Sequence, residues 1–137
     1  MEELAERVAD ALREKYGEET LVGVSYYHED GVGHVYRSEW AAEKYDPEEV
    51  DEIVQDLRFE ALGHGAHEQR HREGLHATVR VYDELIDVVV PITEFEGLAF
   101  ALSNDGEYTV RNVVSLVETV VEESDVERTA LDHPSGE

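Results

Sequence analysis

The stretch Leu75–Leu102, LHATVRVYDELIDVVVPITEFEGLAFAL, holds three strand-length segments whose apolar content rises from first to last. In the first, Leu75, Ala77, Val79 and Val81 alternate with His76, Thr78, Arg80 and Tyr82. A period of two marks a strand with one dry face. The second, LIDVVVPI, is more apolar, as a central strand is, and Pro91 marks its end. The third, GLAFAL, is apolar at almost every position, which suits burial on both faces. Such a gradient asks for a layered sheet with the first segment half-exposed or at an edge.

Helical periods surround these segments. Leu4, Val8, Ala11 and Leu12 recur at helical spacing, predicting a helix that ends near Tyr16-Gly17. TLVGVSYYHEDGVGHVYRSE then reads as a hairpin, with Asp30-Gly31 as the favoured tight-turn pair. In DPEEVDEIVQDLRFEAL, Asp46 is an N-cap, Pro47 suits the first helical position and Glu49 completes a capping box. Val50, Ile53, Val54, Leu57 and Ala61 form its apolar stripe, and Gly63 ends it. Asn104-Asp105-Gly106 turns the chain into a last helix striped by Val110, Val113, Val114, Val117, Val120 and Val121. The predicted order is α-β-β-α-β-β-β-α. It implies an α+β domain over 1–123, a five-stranded antiparallel sheet flanked by helices on both faces. Residues 124–137 read as an acidic, frayed tail.

The 137-residue chain, 41% hydrophobic, is long enough for a real core. Its charge is extreme: 34 acidic residues against 11 basic ones give −23, and Lys15 and Lys44 are the only lysines. Repulsion on that scale opposes a compact state in dilute buffer. At molar salt the Debye length falls to about 3 Å and the repulsion is screened. Regular aliphatic patterning excludes disorder as the explanation, so the composition implies a halophile's cytoplasmic protein. No basic patch is present to bind a nucleic acid, no run is long enough to span a membrane, and the acidic start is unlike an export signal. Without cysteine there is neither a disulfide framework nor a thiolate metal site.

The element order, the hairpin GVSYYHEDGVGHVYRSE and the segment HATVRVYDELIDVVVPITEFEGLAFAL together resemble the roadblock family, the MglB-like modules of profilin-type architecture. More narrowly, YDPEEVDEIVQDLRFEAL followed by GLHATVRVYDELIDVVVP is similar to a group of small uncharacterised acidic proteins of haloarchaea. The roadblock resemblance implies a non-enzymatic scaffold or regulator that homodimerises through its second helix and third strand and often serves small GTPases. On this chain the implied dimer surface is Val50, Ile53, Val54 and Leu57 with Thr78 and Arg80. The alternating strand suits that role, since an edge with Thr78 and Arg80 outward can pair with a second copy. No GTPase contact motif is present.

His67-Glu68-Gln69-Arg70-His71 spells the H-E-x-x-H signature of zinc peptidases, in which two histidines four apart share a metal ion. Its surroundings argue against that chemistry: Gly65 and Gly74 bracket the motif, no apolar face buries it, and no extended third-ligand pattern follows. A non-catalytic site built from His64, His67, His71 and His76, suited to Zn²⁺ or Ni²⁺, makes fewer demands. So does a protonation switch among carboxylates. The plainest reading is a solvated connector in which these histidines are tolerated polar residues, with no cofactor. Glu84, Asp87, Glu94 and Glu96 match a paired-carboxylate site only as chance permits in so acidic a chain. Trp40 reads as a lid on the core, and Tyr26, Tyr27 and Tyr36 as cross-strand packing. The alternative to an interaction module is a PAS/GAF-like small-molecule sensor. That layout requires an enclosed pocket beneath the sheet near Trp40, where a dimer module requires a filled core.

Overall fold

The computed structural model describes residues 1–132, with side chains through residue 124. The chain runs α1 (Glu2–Tyr16), β1 (Leu21–His28), β2 (Gly31–Arg37), α2 (Glu39–Lys44) and α3 (Pro47–Ala61). It continues through α4 (His64–His71), β3 (Thr78–Val81), β4 (Leu85–Pro91), β5 (Gly97–Ser103) and α5 (Val110–Asp132). The five strands form one antiparallel sheet in the order β2-β1-β5-β4-β3. The gradient of apolar content maps onto this order: β5 is central, β4 lies beside it, and β3 is an edge.

One face of the sheet packs against α1 and α5. Val8 and Leu12 of α1 and Val113 and Val117 of α5 close over Val24, Ile86, Val88, Leu98, Phe100 and Leu102. The other face is covered more thinly. Val54 and Leu57 of α3 meet Tyr27, Val89 and Ala99, and Ala41 of α2 meets Val22 and Leu85. The stripe on α3 starts where the sequence places it, because Glu49 accepts a hydrogen bond from the Asp46 backbone N–H at 3.0 Å. Such a reciprocal cap satisfies donors that the first helical turn otherwise leaves orphaned.

Five details depart from the sequence-based expectation. Helix α2 is additional; Ser38 starts it by accepting the Ala41 N–H at 3.2 Å. Six residues are too few to show a periodic stripe. Helix α4 occupies what reads as a connector; its residues are helical although none is buried. The hairpin turns on Glu29-Asp30, with His28 opposite Gly31, one residue earlier than Asp30-Gly31. Strand β3 is shorter than the alternating segment, because the Leu75 N–H bonds to the Glu68 carboxylate at 2.9 Å instead of joining a ladder. Helix α5 runs on into the segment expected to be an acidic tail, of which residues 133–137 lie outside the described residues.

Candidate functional site

The α3 side of the sheet carries the features that bear on function. Among the strands, β3 has a helix only marginally against it, whereas α1 and α3 both pack on the opposite edge strand β2. Val79 and Val81 of β3 are exposed, Val81 at 69%, and Tyr82 beside them is half exposed. Ile53 projects from α3 at 36% exposure. Of the other residues assigned to a dimer surface, Thr78 is exposed and Val50 half-buried, while Val54 and Leu57 are committed to the chain's own core. Arg80 is half-buried and pairs with Glu60 of α3. It stands across the ladder from Asp87.

Between α2–α3 and the sheet lies a cavity of about 570 Å³. Its floor is made of small residues, Gly23, Ala99 and Ala101, and its walls include Val50, Val54 and Tyr45. Asp87 is the carboxylate in that lining. Burial pushes its carboxyl above the usual carboxylate range, and the nearby Arg80 guanidinium pulls it partly back. No protein group among the described residues donates a hydrogen bond to it. A second space of about 270 Å³, lined by Leu57, Glu60, His64, His67, Arg80 and Asp87, continues along the same face. The α3 layer is therefore not a filled core, and the space of about 660 Å³ that Trp40 lines, with Glu39 and Glu84, is an open cleft and not an enclosed pocket.

Trp40 does not act as a core lid. Ala41 takes that place, and Trp40 turns outward at 39% exposure, edge-on to Tyr45 at 6.4 Å with the Lys44 ammonium 4.8 Å from its ring centroid. Glu84 of the proposed carboxylate group pairs with Lys44 at 3.2 Å, which raises the Lys44 pKa through their hydrogen bond. Glu96 instead accepts from the Thr93 hydroxyl at the β4–β5 turn. The tyrosines form no surface patch: Tyr27 is buried in the α3 layer, and Tyr26 and Tyr36 pack against the α1–α5 core.

The histidines of α4 are not gathered on one point. His64 contacts the Ala61 carbonyl at 3.0 Å, while His67 and His71 are exposed. His76 is held away from them by a 2.6 Å bond to Glu118 of α5, and that hydrogen bond raises the His76 pKa. Among the described residues no three His, Asp or Glu side chains come close enough to share a metal ion. Glu68, the general base of a peptidase motif, is instead a backbone acceptor for Leu75.

One constellation escapes the sequence altogether. Ser25 Oγ of β1 lies 2.6 Å from His34 Nδ1 of β2, and His34 Nε2 lies 2.5 Å from Asp51 Oδ1 of α3. The order serine, histidine, aspartate is that of a hydrolytic triad. Ser25, however, is only 7% exposed and does not line either cavity. A nucleophile needs access to substrate, so the chain of bonds acts as a tether between the hairpin and α3. Its members stand 9 and 17 residues apart on three elements, and no short motif joins them.

The fold resembles that of solved structures. A roadblock/LC7 domain from Streptomyces avermitilis superposes with a TM-score of 0.60 at 15% identity, covering 94% of this chain and 98% of that one. MglB with tetrameric arrangement gives 0.59 at 16% identity, covering 88% and 91%. No curated protein sequence matches the chain. At such identities the likeness establishes a roadblock-type fold. Residues 6–122 match the model of a domain of unknown function, DUF7522, and the chain belongs to that family.

Proposed function

We propose that this protein is a salt-adapted, non-enzymatic interaction module that pairs with a second copy of itself through β3 and α3. The carrying observation is the outer edge of β3, unpaired and flanked by exposed Val79, Val81, Tyr82 and Ile53. An apolar edge strand is a template for another strand, and proteins that remain monomeric blunt such an edge with charge, proline or a covering helix. Here Arg80, the basic residue on β3, is occupied by Glu60. The tetrameric arrangement of the similar MglB supports self-association as a use of this fold. The roadblock resemblance adds a protein partner of the small-GTPase class to be regulated by the dimer.

The surface fits a cytoplasm rich in salt. Ser25 is the one buried polar or charged residue among those described, so the Asp and Glu side chains meet water or line partly open clefts. Size-exclusion chromatography with light scattering in molar KCl tests the proposal. The wild-type chain is expected at twice its monomer mass, and Val81→Lys or Ile53→Lys at the monomer mass with unchanged circular dichroism. A wild-type monomer at all accessible concentrations overturns the reading.

A further inference from the structure

We propose that the cavity between α3 and the sheet binds a small organic cation with an apolar body, whose ammonium group pairs with Asp87. The volume, about 570 Å³, lies within the range of small-molecule sites, and such sites combine apolar walls with a few placed polar groups. Here the small side chains Ala99 and Ala101 open the floor, and Asp87 stands among them. A carboxylate facing apolar walls without a donor is in an unfavourable state, and removal from water makes it more so. Its pKa moves up from burial for the same reason. Arg37 and His34 also line the cavity, but Arg37 lies three strands from Asp87, across Gly23 and Ala101, and the guanidinium of Arg80, opposite Asp87 on β3, is held by Glu60.

An ammonium ligand supplies the missing donor and adds a positive charge to the partial compensation that Arg80 gives. A neutral apolar ligand fills the same volume and leaves Asp87 desolvated and unpaired. An anionic ligand meets Asp87 directly, and on approach it meets a chain of net charge −23. The cavity reaches solvent beside Ile53 and Tyr82, which both line it and are exposed. Every wall belongs to one chain, but the mouth residues Ile53 and Tyr82 also flank the proposed dimer edge, so the titrations below are repeated on the monomeric Val81→Lys chain, whose substitution lies outside the lining.

The test uses decylamine, decanol and decanoate, which share one apolar body and differ in charge, titrated into the full chain in molar KCl by calorimetry. High salt suppresses nonspecific attraction of cations to the acidic surface. Decylamine is expected to bind about tenfold or more tightly than decanol, the scale of one charge-assisted hydrogen bond, with decanoate weakest. Asp87→Asn is expected to erase the preference for decylamine and keep the binding of decanol. Ala101→Leu is expected to weaken all three. Methyl chemical shifts of Ala41, Ala99 and Ala101 in the wild type locate the ligand independently of how either variant folds. Failure of decylamine to bind, equal binding of decylamine and decanol, a preference that survives Asp87→Asn, or shifts confined to other methyls would each overturn the proposal.

Discussion

Tyr27 crosses the sheet so closely over Gly97 that a Cβ at that position would collide with the phenol ring and its hydroxyl. The pairing of Tyr27 with Gly97 on neighbouring strands explains why β5 begins with a glycine. At 1% exposure the hydroxyl has no partner among the described residues, and burial pushes its pKa up to about 12. A phenol that stays protonated when folded but ionises near pH 10 when unfolded loses stability as pH rises between those values. Tyr27→Phe is therefore expected to leave the neutral-pH melting temperature unchanged or raised, by up to about 1 kcal/mol of stability. It should also flatten the loss between pH 10 and 12, worth up to about 3 kcal/mol in the wild type. Thermal melts of both proteins across that range check it. A steeper alkaline loss in the variant would contradict the buried-phenol account.

Among the elements, α3 is held to the sheet by few groups, and the Ser25–His34–Asp51 chain is one of them. Asp51 is largely exposed and His34 partly so, which limits the ionic share of the tether. His34→Ala is expected to cost about 1–2 kcal/mol, mostly from the two hydrogen bonds. It should also speed amide exchange in Pro47–Ala61 more than in α1. Uniform exchange rates across both helices would rule the tether out.

Legibility in the sequence follows the same division. Helices α1 and α3 and the strands of the sheet carry apolar periods long enough to see, and the Asp46–Glu49 cap marks its helix directly. Helix α2 is too short to show a period, and α4 buries nothing, so its sequence has no stripe to read. The tether and the cavity depend on which residues of distant elements meet. Asp87 looks like any other carboxylate in a chain with 34 of them until Ala99, Ala101 and α3 are set around it. Thr78 and Arg80 were legible as strand residues, but the pairing of Arg80 with Glu60 was not.

At the scale of the whole molecule, charge dominates. With 34 acidic and 11 basic residues, most carboxylates have no cation to pair with, and ion pairs such as Lys44–Glu84 neutralise only a few. The chain is expected to lose helical and tertiary signal on dialysis from molar KCl into dilute buffer. Each 1 kcal/mol of repulsion screened raises the melting temperature by roughly 3–5 °C in a domain of this size. Circular dichroism melts over a KCl series check this; a melting temperature independent of salt would remove the halophilic interpretation.

The sheet order β2-β1-β5-β4-β3 also governs when the molecule can form. Its central strand, β5, is the last of the five to leave the ribosome, and it alone joins the β1–β2 hairpin to the β4–β3 pair. Until Gly97–Ser103 emerges, the edges of β1 and β4 that it joins have no strand to pair with. Loop closure across the chain must then precede most of the stabilising contacts, which slows folding and lengthens the time those edges stay bare. Mutual repulsion between chains of net charge −23 would oppose the pairing of those edges with a neighbour during that interval.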